Sequence, residues 1–566
     1  MKQNKLSILF PWQDRIEYRL LSEETWHNLG LDAIVEKVAQ KPQEVPLLQR
    51  VMISLTPDPA VCRFRCDVFE DLFLHPEIRA QLTKLLDQVK MFYDYGVVNR
   101  HASDEASIWD LMHRLEEYHD YIVTVESIRA CLSNQALVSE GLRTLLETIQ
   151  TIYESNGFAA LRKDVEELRT TASNIKSLTV GVNVNDRFEA VSMGLISVNA
   201  KPFTRSGLLK HFVSAVSLRD DIQPEADWNG AYSFQPANPL TSLAASADQL
   251  MKTATVLKNP LLSLAAIPRD DATAEVPRQM DNAASQLVSR LVRRLKETLA
   301  QYINVSVKEI SDLIPELLFY VRWSEYLESL RAKGWTFSKP SVREDGGPAS
   351  MDARGFYNMK LIDSLSPRDA IPNDLSFDAE KRVYLLTGAN RGGKTTVTQA
   401  IGQLYLLAQS GVFVPAESFS FHPADLVLTH FPADEDRTLD LGRLGEECQR
   451  FRELYEAATD RSLLLMNETF STTSFEEGYF IAVDAVRAIL RKNARTIYNT
   501  HMHKLALELD TVLNAEDVPA KAVSLIVETK EGRSTFHVKV APPEGKSYAH
   551  EIAEKYGVTY EALTAK

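Results

Sequence analysis

Residues 384–396 read YLLTGANRGGKTT. An apolar run ends at Gly388, four residues intervene, and Gly393-Lys394-Thr395 opens KTTVTQAIGQLYLLAQSG, a helix-like run ending at Gly411. The spacing is G-x-x-x-x-G-K-[ST] between strand and helix, the setting in which that pattern binds phosphate. Backbone N–H groups of such a loop approach phosphate oxygens closely, and the following helix turns its positive end toward them. The candidate nucleotide-binding residues are therefore Gly388, Ala389, Asn390, Arg391, Gly392, Gly393, Lys394, Thr395 and Thr396. Lys394 is expected on the β- and γ-phosphates of ATP, and the Thr395 hydroxyl on Mg2+. Strand and helix alternate beyond residue 355, which predicts an α/β domain with a largely parallel sheet.

Two further strands complete the expected site. RSLLLMNETFSTTS holds an apolar run, Leu463–Met466, ended by Asn467-Glu468. In phosphate-loop ATPases an acidic pair commonly stands here, the first residue organising Mg2+ and the second polarising the attacking water. Asn467 takes the metal position without a charge, and Glu468 keeps the role of base, worth about 10²–10⁴ in rate. The run ARTIYNTH ends in His501, placed to sense the γ-phosphate. The catalytic candidates are thus Glu468, Lys394 and His501, and the metal candidates Thr395 and Asn467.

The remaining chain is organised differently. Residues 1–175 read as helices: Ile108, Leu111, Leu115, Tyr118, Ile122, Val125 and Ile128 step by three and four, one apolar stripe. Over 176–285 the period changes. Leu178, Val180, Val182 and Val184 alternate, Asn185-Asp186 turns, and Val191, Met193 and Leu195 alternate again, which predicts a β-hairpin; 220–285 shows no clear period. Helix returns over 286–345, with Leu287, Leu291, Leu295 and Leu299 spaced by four. Residues 338–355, rich in Pro, Gly and Ser, read as a linker into the α/β domain, 346–566.

A net charge of −14 excludes a general positive field for nucleic acid, although local basic groups remain. Four cysteines in 566 residues fit a reducing compartment, with Cys62 and Cys66 as small buried residues on one helix. The opening apolar run stops at Pro11, too short for a secretory core. No later run reaches ~18 apolar residues. A cytoplasmic protein without a membrane span is expected.

Taken in order, PNDLSFDAEKRVYLLTGANRGGKTT, GVFVPAES, LLLMNETFSTTS, YNTHMHKL and GKSYAHEIAEKYGV resemble the ATPase domain of the MutS family of DNA mismatch repair proteins. The resemblance includes Pro372, Asn373 and the Asn390-x-Gly392-Gly393 spacing, and covers most of 355–560. It implies an α/β P-loop NTPase domain of the ABC type, ending in a dimerisation segment at Ser547-Tyr548. Ahead of it would lie a long, mostly α-helical core and lever region with a small, clamp-like β insertion. LTPDPAVCRFRCDVFEDLF resembles the start of the lever. The mismatch-reading domain is expected to be absent, as in a shortened paralogue.

The resemblance further implies a homodimer, or a heterodimer with a paralogue, in which ATP lies between one subunit's phosphate loop and the other's signature segment. Here GRLGEECQRF stands for that segment, Leu444 lacks the usual hydroxyl, and Gly445 offers only its N–H. Ile371 occupies the place of a residue that stacks on adenine. With Asn467, these departures imply slow turnover. The arms would hold DNA of unknown structure through Lys201, Arg205, Lys210, Arg290, Arg293, Arg294 and Lys296, any of which could instead be solvated or ion-paired. The alternative is an ATP-bound switch or scaffold that hydrolyses barely and acts through protein partners. A small-molecule kinase would not account for the helical arms.

Overall fold

Asp58 and Pro59 open the first long helix, α1 (Pro59–Leu74). The Asp58 side chain accepts from the Ala60 N–H at 2.9 Å, and Pro59 sits where no N–H is required. Helices α2 (Ile108–Leu132), α3 (Glu140–Glu154) and α4 (Asn156–Ser173) follow, then strands β1 (Ser177–Val184) and β2 (Ala190–Asn199), then α5 (Ser289–Ala300) and α6 (Val307–Ala332). The expected stripe on α2 is buried at Leu111, Leu115, Tyr118, Ile122, Val125 and Ile128, and Cys62 and Cys66 are buried on α1. β1 and β2 pair antiparallel, as their alternation predicts. The computed structural model describes residues 6–11, 18–88, 108–133, 135–173, 177–184, 186, 190–199, 289–302, 307–388, 392–432, 442–515, 518–530, 533–543 and 556–564. The irregular stretch 220–285 lies outside them.

The chain divides into two compact units. One comprises Met1–Gln88, Ser127–Gln150 and Lys308–Lys566; the other comprises Val89–Glu126 and Thr151–Val307. In the second, α5 lies against α4, and the Tyr302 hydroxyl donates to Asp164 at 2.6 Å. The first contains β3 (Ser341–Val342), β4 (Met351–Phe356), β5 (Asn373–Phe377), β6 (Lys381–Thr387), α7 (Lys394–Gln409), β7 (Ser418–Phe421) and β8 (Val427–His430). It continues with α8 (Gly442–Ala457), β9 (Leu463–Asn467), α9 (Phe475–Lys492), β10 (Arg495–Asn499), β11 (Lys521–Lys530) and β12 (Arg533–Val540).

Residues 338–355 are not a linker. They supply β3 and the start of β4 to a four-stranded sheet in the order β3-β7-β4-β5. Arg343 donates to the Ser420 and Ser350 hydroxyls at 2.8 and 2.7 Å, and the Ser350 N–H donates to His422 Nδ1. Residues 344–348 form an exposed bend between the two strands.

The main sheet has the order β8-β9-β10-β6-β11-β12, parallel from β8 to β11, with β12 antiparallel at one edge. Its inner strands are buried on both faces; β9 is buried at every residue, hence its unbroken apolar run. Val383, Leu385, Leu464, Met466 and Tyr498 form one core with Leu454 of α8 and Ala482, Val486 and Ile489 of α9. Each buried leucine there stabilises the fold by about 1.5–3 kcal/mol. Helix α7 packs on β9. In register, Asn467 faces Asn499 and Asn499 faces Leu386, so β9, β10 and β6 end side by side. Among the described residues no helix is long and apolar enough to cross a membrane.

Candidate active site

The loop after β6 turns at Gly388 and enters α7 through Gly393, whose φ of +89° requires glycine or strain. Ala389, Asn390 and Arg391 lie outside the described residues. Lys394 is buried, and its ammonium donates to the Gly388 carbonyl at 3.0 Å. Burial lowers its pKa, against the opposing pull of Glu468. A phosphate would relieve that desolvation.

Asn467 closes β9. Its Oδ1 accepts from the Thr395 hydroxyl at 3.0 Å and from the Asn499 amide. The two expected metal residues therefore touch, and both present neutral oxygens of the kind that suits Mg2+. The fit is coherent but lacks charge. The other carboxamide oxygen, Asn499 Oδ1, is buried without a hydrogen-bond partner among the described residues.

Beyond Asn467 the chain makes a tight turn with Glu468 at φ +53° and Phe470 at φ +61°. The Glu468 N–H donates to the Asn499 carbonyl at 2.9 Å, and its carboxylate lies 2.7 Å from His501 Nε2. That hydrogen bond holds the Glu468 carboxyl below its usual range, although burial opposes it. Glu468 is thus ionised at neutral pH, and His501 rests on it.

Lys394, Thr395 and Glu468 border a cleft of about 510 Å³ that is also lined by Gly392, Gly393, Thr396, Leu361, Leu365, Ile371 and Phe536. Phe536 was not anticipated: it lies on the edge strand β12, far along the chain, and carries no motif. Asn373 explains its place, since its amide donates to the Phe536 carbonyl at 3.2 Å and its oxygen accepts from the Val538 N–H at 2.8 Å. Asn499 was also missed; a polar residue closing an apolar strand was the available signal.

Gly442, Arg443, Leu444 and Gly445 form the first turn of α8, where N–H groups lack intrahelical partners. Of the basic candidates, Lys201, Arg205 and Lys210 lie outside the described residues, as does the Arg290 side chain. On α5, Arg293 is exposed, Lys296 is half-buried, and Arg294 pairs with Glu167. Ser547 and Tyr548 also lie outside the described residues.

Comparison with known proteins matches two regions of the chain. A family model described as MutS domain V matches residues 384–565, and one described as MutS2 N-terminal domain matches 57–333. A DNA mismatch repair protein MutS from Nitratidesulfovibrio vulgaris is 27% identical over 278 residues, 48% of this chain and 29% of that protein. The Chlorobium chlorochromatii protein of the same name is 33% identical over 234 residues, 41% of this chain and 26% of its own length. An Endonuclease MutS2 from Thermus thermophilus is 30% identical over 198 residues, 34% of this chain and 25% of its own length. The chain thus aligns with roughly a quarter of the length of these relatives. Two family models that between them take in most of the sequence, joined to a glycine loop, acid strand and histidine strand in one sheet, place the chain in the MutS family.

Proposed function

We propose that this chain is a cytoplasmic DNA-binding ATPase of slow turnover. It would act as a homodimer or with a paralogue, its nucleotide state setting the posture of helical arms that hold DNA without reading mismatches. One observation carries the reading: Lys394, Thr395, Asn467, Glu468 and His501 meet at the ends of three adjacent parallel strands beside one cleft. Phosphate oxygens would replace the Gly388 carbonyl on Lys394. Glu468 would take a proton from the water that attacks the γ-phosphorus, releasing ADP and phosphate. Thr395 and Asn467 would hold Mg2+, which neutralises phosphate charge. His501 would pass from the carboxylate to the γ-phosphate as the sensor. Ile371 would pack on the base. Turnover is slow because Asn467 brings no charge and Leu444 no hydroxyl.

DNA as the partner is supported by the names of the relatives and by Arg293, exposed on α5. The test pairs nucleotide and DNA binding. Lys394→Ala is expected to lose ATP, while the parent's log affinity for DNA falls with log salt by about 0.9 for each phosphate neutralised. No DNA binding at low salt, with or without ATP, would leave the second reading: a nucleotide switch acting through protein partners. The neutral Asn467 and the net charge of −14 favour that reading.

A further inference from the structure

We infer that His430 and Glu447 are positioning residues for Glu468: they tie the end of β8 and helix α8 to the turn that carries the carboxylate, so the setting of α8 governs the placement of the base. The inference rests on the reading of Glu468 as base.

The turn is one that a free chain would avoid. Glu468 and Phe470 both hold left-handed backbone angles without being glycine, and such conformations persist only where surroundings over-determine them. Those surroundings are specific. His430, nearly inaccessible at 1% exposure, lies with Nδ1 3.1 Å from the Thr469 hydroxyl and Nε2 3.2 Å from the Glu447 carbonyl. A carbonyl only accepts, so Nε2 carries the proton and Nδ1 accepts from Thr469. Glu447, 5% exposed, accepts from the Thr472 hydroxyl at 2.9 Å. The Tyr498 hydroxyl donates to the Thr469 carbonyl at 3.3 Å. Gly478 completes the seat, since a Cβ there would stand 2.5 Å from the Phe470 carbonyl oxygen.

Neither His430 nor Glu447 lines the cleft, so neither is a catalytic residue. Burial lowers the pKa of His430 and raises that of Glu447. Helix α8 begins with Gly442–Gly445, the segment assigned across the dimer. A shift of α8 on contact with a second nucleotide would therefore reach Glu468 through two side chains and one turn.

The test compares Glu447→Ala, Glu447→Gln, Thr472→Val and the double variant Glu447→Ala/Thr472→Val in the full chain. Three quantities are read: single-turnover ATP hydrolysis, affinity for a non-hydrolysable ATP analogue, and amide hydrogen exchange of residues 468–473. Glu447→Ala and Thr472→Val are each expected to slow hydrolysis by about a hundredfold, the size of a small misplacement of a reacting group. Analogue affinity stays at the parent value, and exchange in the turn accelerates. The double variant is no slower than either single one, and Glu447→Gln, which keeps an acceptor for Thr472, restores most of the rate. A merely structural role would lower analogue affinity together with rate, and that result overturns the inference. So does a Glu447→Ala protein with parent hydrolysis and parent exchange. A parent that hydrolyses no ATP overturns the proposed function first, and this inference with it.

Discussion

Asn467 is the residue expected to set the speed of the proposed reaction. Two donors, the Thr395 hydroxyl and the Asn499 amide, converge on its Oδ1. A carboxylate oxygen would receive the same pair, so Asn467→Asp adds charge without leaving a donor unmatched. It is expected to raise the steady-state ATPase rate about tenfold, equivalent to ~1.4 kcal/mol of barrier; an unchanged rate would mean that Thr395 and water suffice for Mg2+. This position was legible in the sequence, as were Glu468 and His501, because each closes an apolar run whose order along the chain fixes its strand. Phe536, Asn499 and His430 were not. Their roles arise from contacts across the sheet, which no local spacing encodes.

Elements were read well where one period ran long. The stripe on α2 and the alternation of β1 and β2 needed no tertiary information. The segment 338–355 was misread because Pro, Gly and Ser mark turns, and here they do make a bend, but one that joins two short strands of the same sheet. Helix α7 also ends in a way that its apolar run does not announce. Arg65 of α1 donates to the Gln409 carbonyl at 2.8 Å and to the Leu9 carbonyl at 2.7 Å, with its guanidinium over the Phe10 and Tyr18 rings. Glu316 of α6 accepts from the Ile8 and Leu9 N–H groups at 2.7 and 3.1 Å. One arginine thus joins α1, the N-terminal segment and the far end of the phosphate-loop helix. Arg65→Met is expected to destabilise the protein by about 1–3 kcal/mol for each carbonyl left unsatisfied, measured by urea unfolding. A parent-like midpoint would show that water replaces the guanidinium.

At the scale of the molecule, distant segments are joined by buried charge as well as by apolar contact. Arg322 of α6 holds Glu44 through two hydrogen bonds of 3.0 and 2.9 Å, both groups buried. Burial opposes ionisation of Glu44, yet the bonds from Arg322 hold its pKa below the ordinary value. A carboxyl depressed in the folded state stabilises fully above its unfolded pKa, about 4.3, and loses that contribution as pH falls through the lower folded value. Glu44→Gln is expected to cost about 1–3 kcal/mol at pH 7, because a neutral amide replaces one of the two carboxylates on buried Arg322, the other being Glu325 at 3.1 Å. The gap from the parent should narrow in urea unfolding below about pH 4; a gap that does not change with pH would contradict the assignment.

The whole account depends on ATP being held beside Glu468 and cleaved with that carboxylate as base. Its most direct test is a single-turnover experiment with radiolabelled ATP on Glu468→Gln and the parent. The variant is expected to retain ATP uncleaved while the parent converts it to ADP, with a rate ratio of about 10²–10⁴. Cleavage by Glu468→Gln at the parent rate would contradict the account.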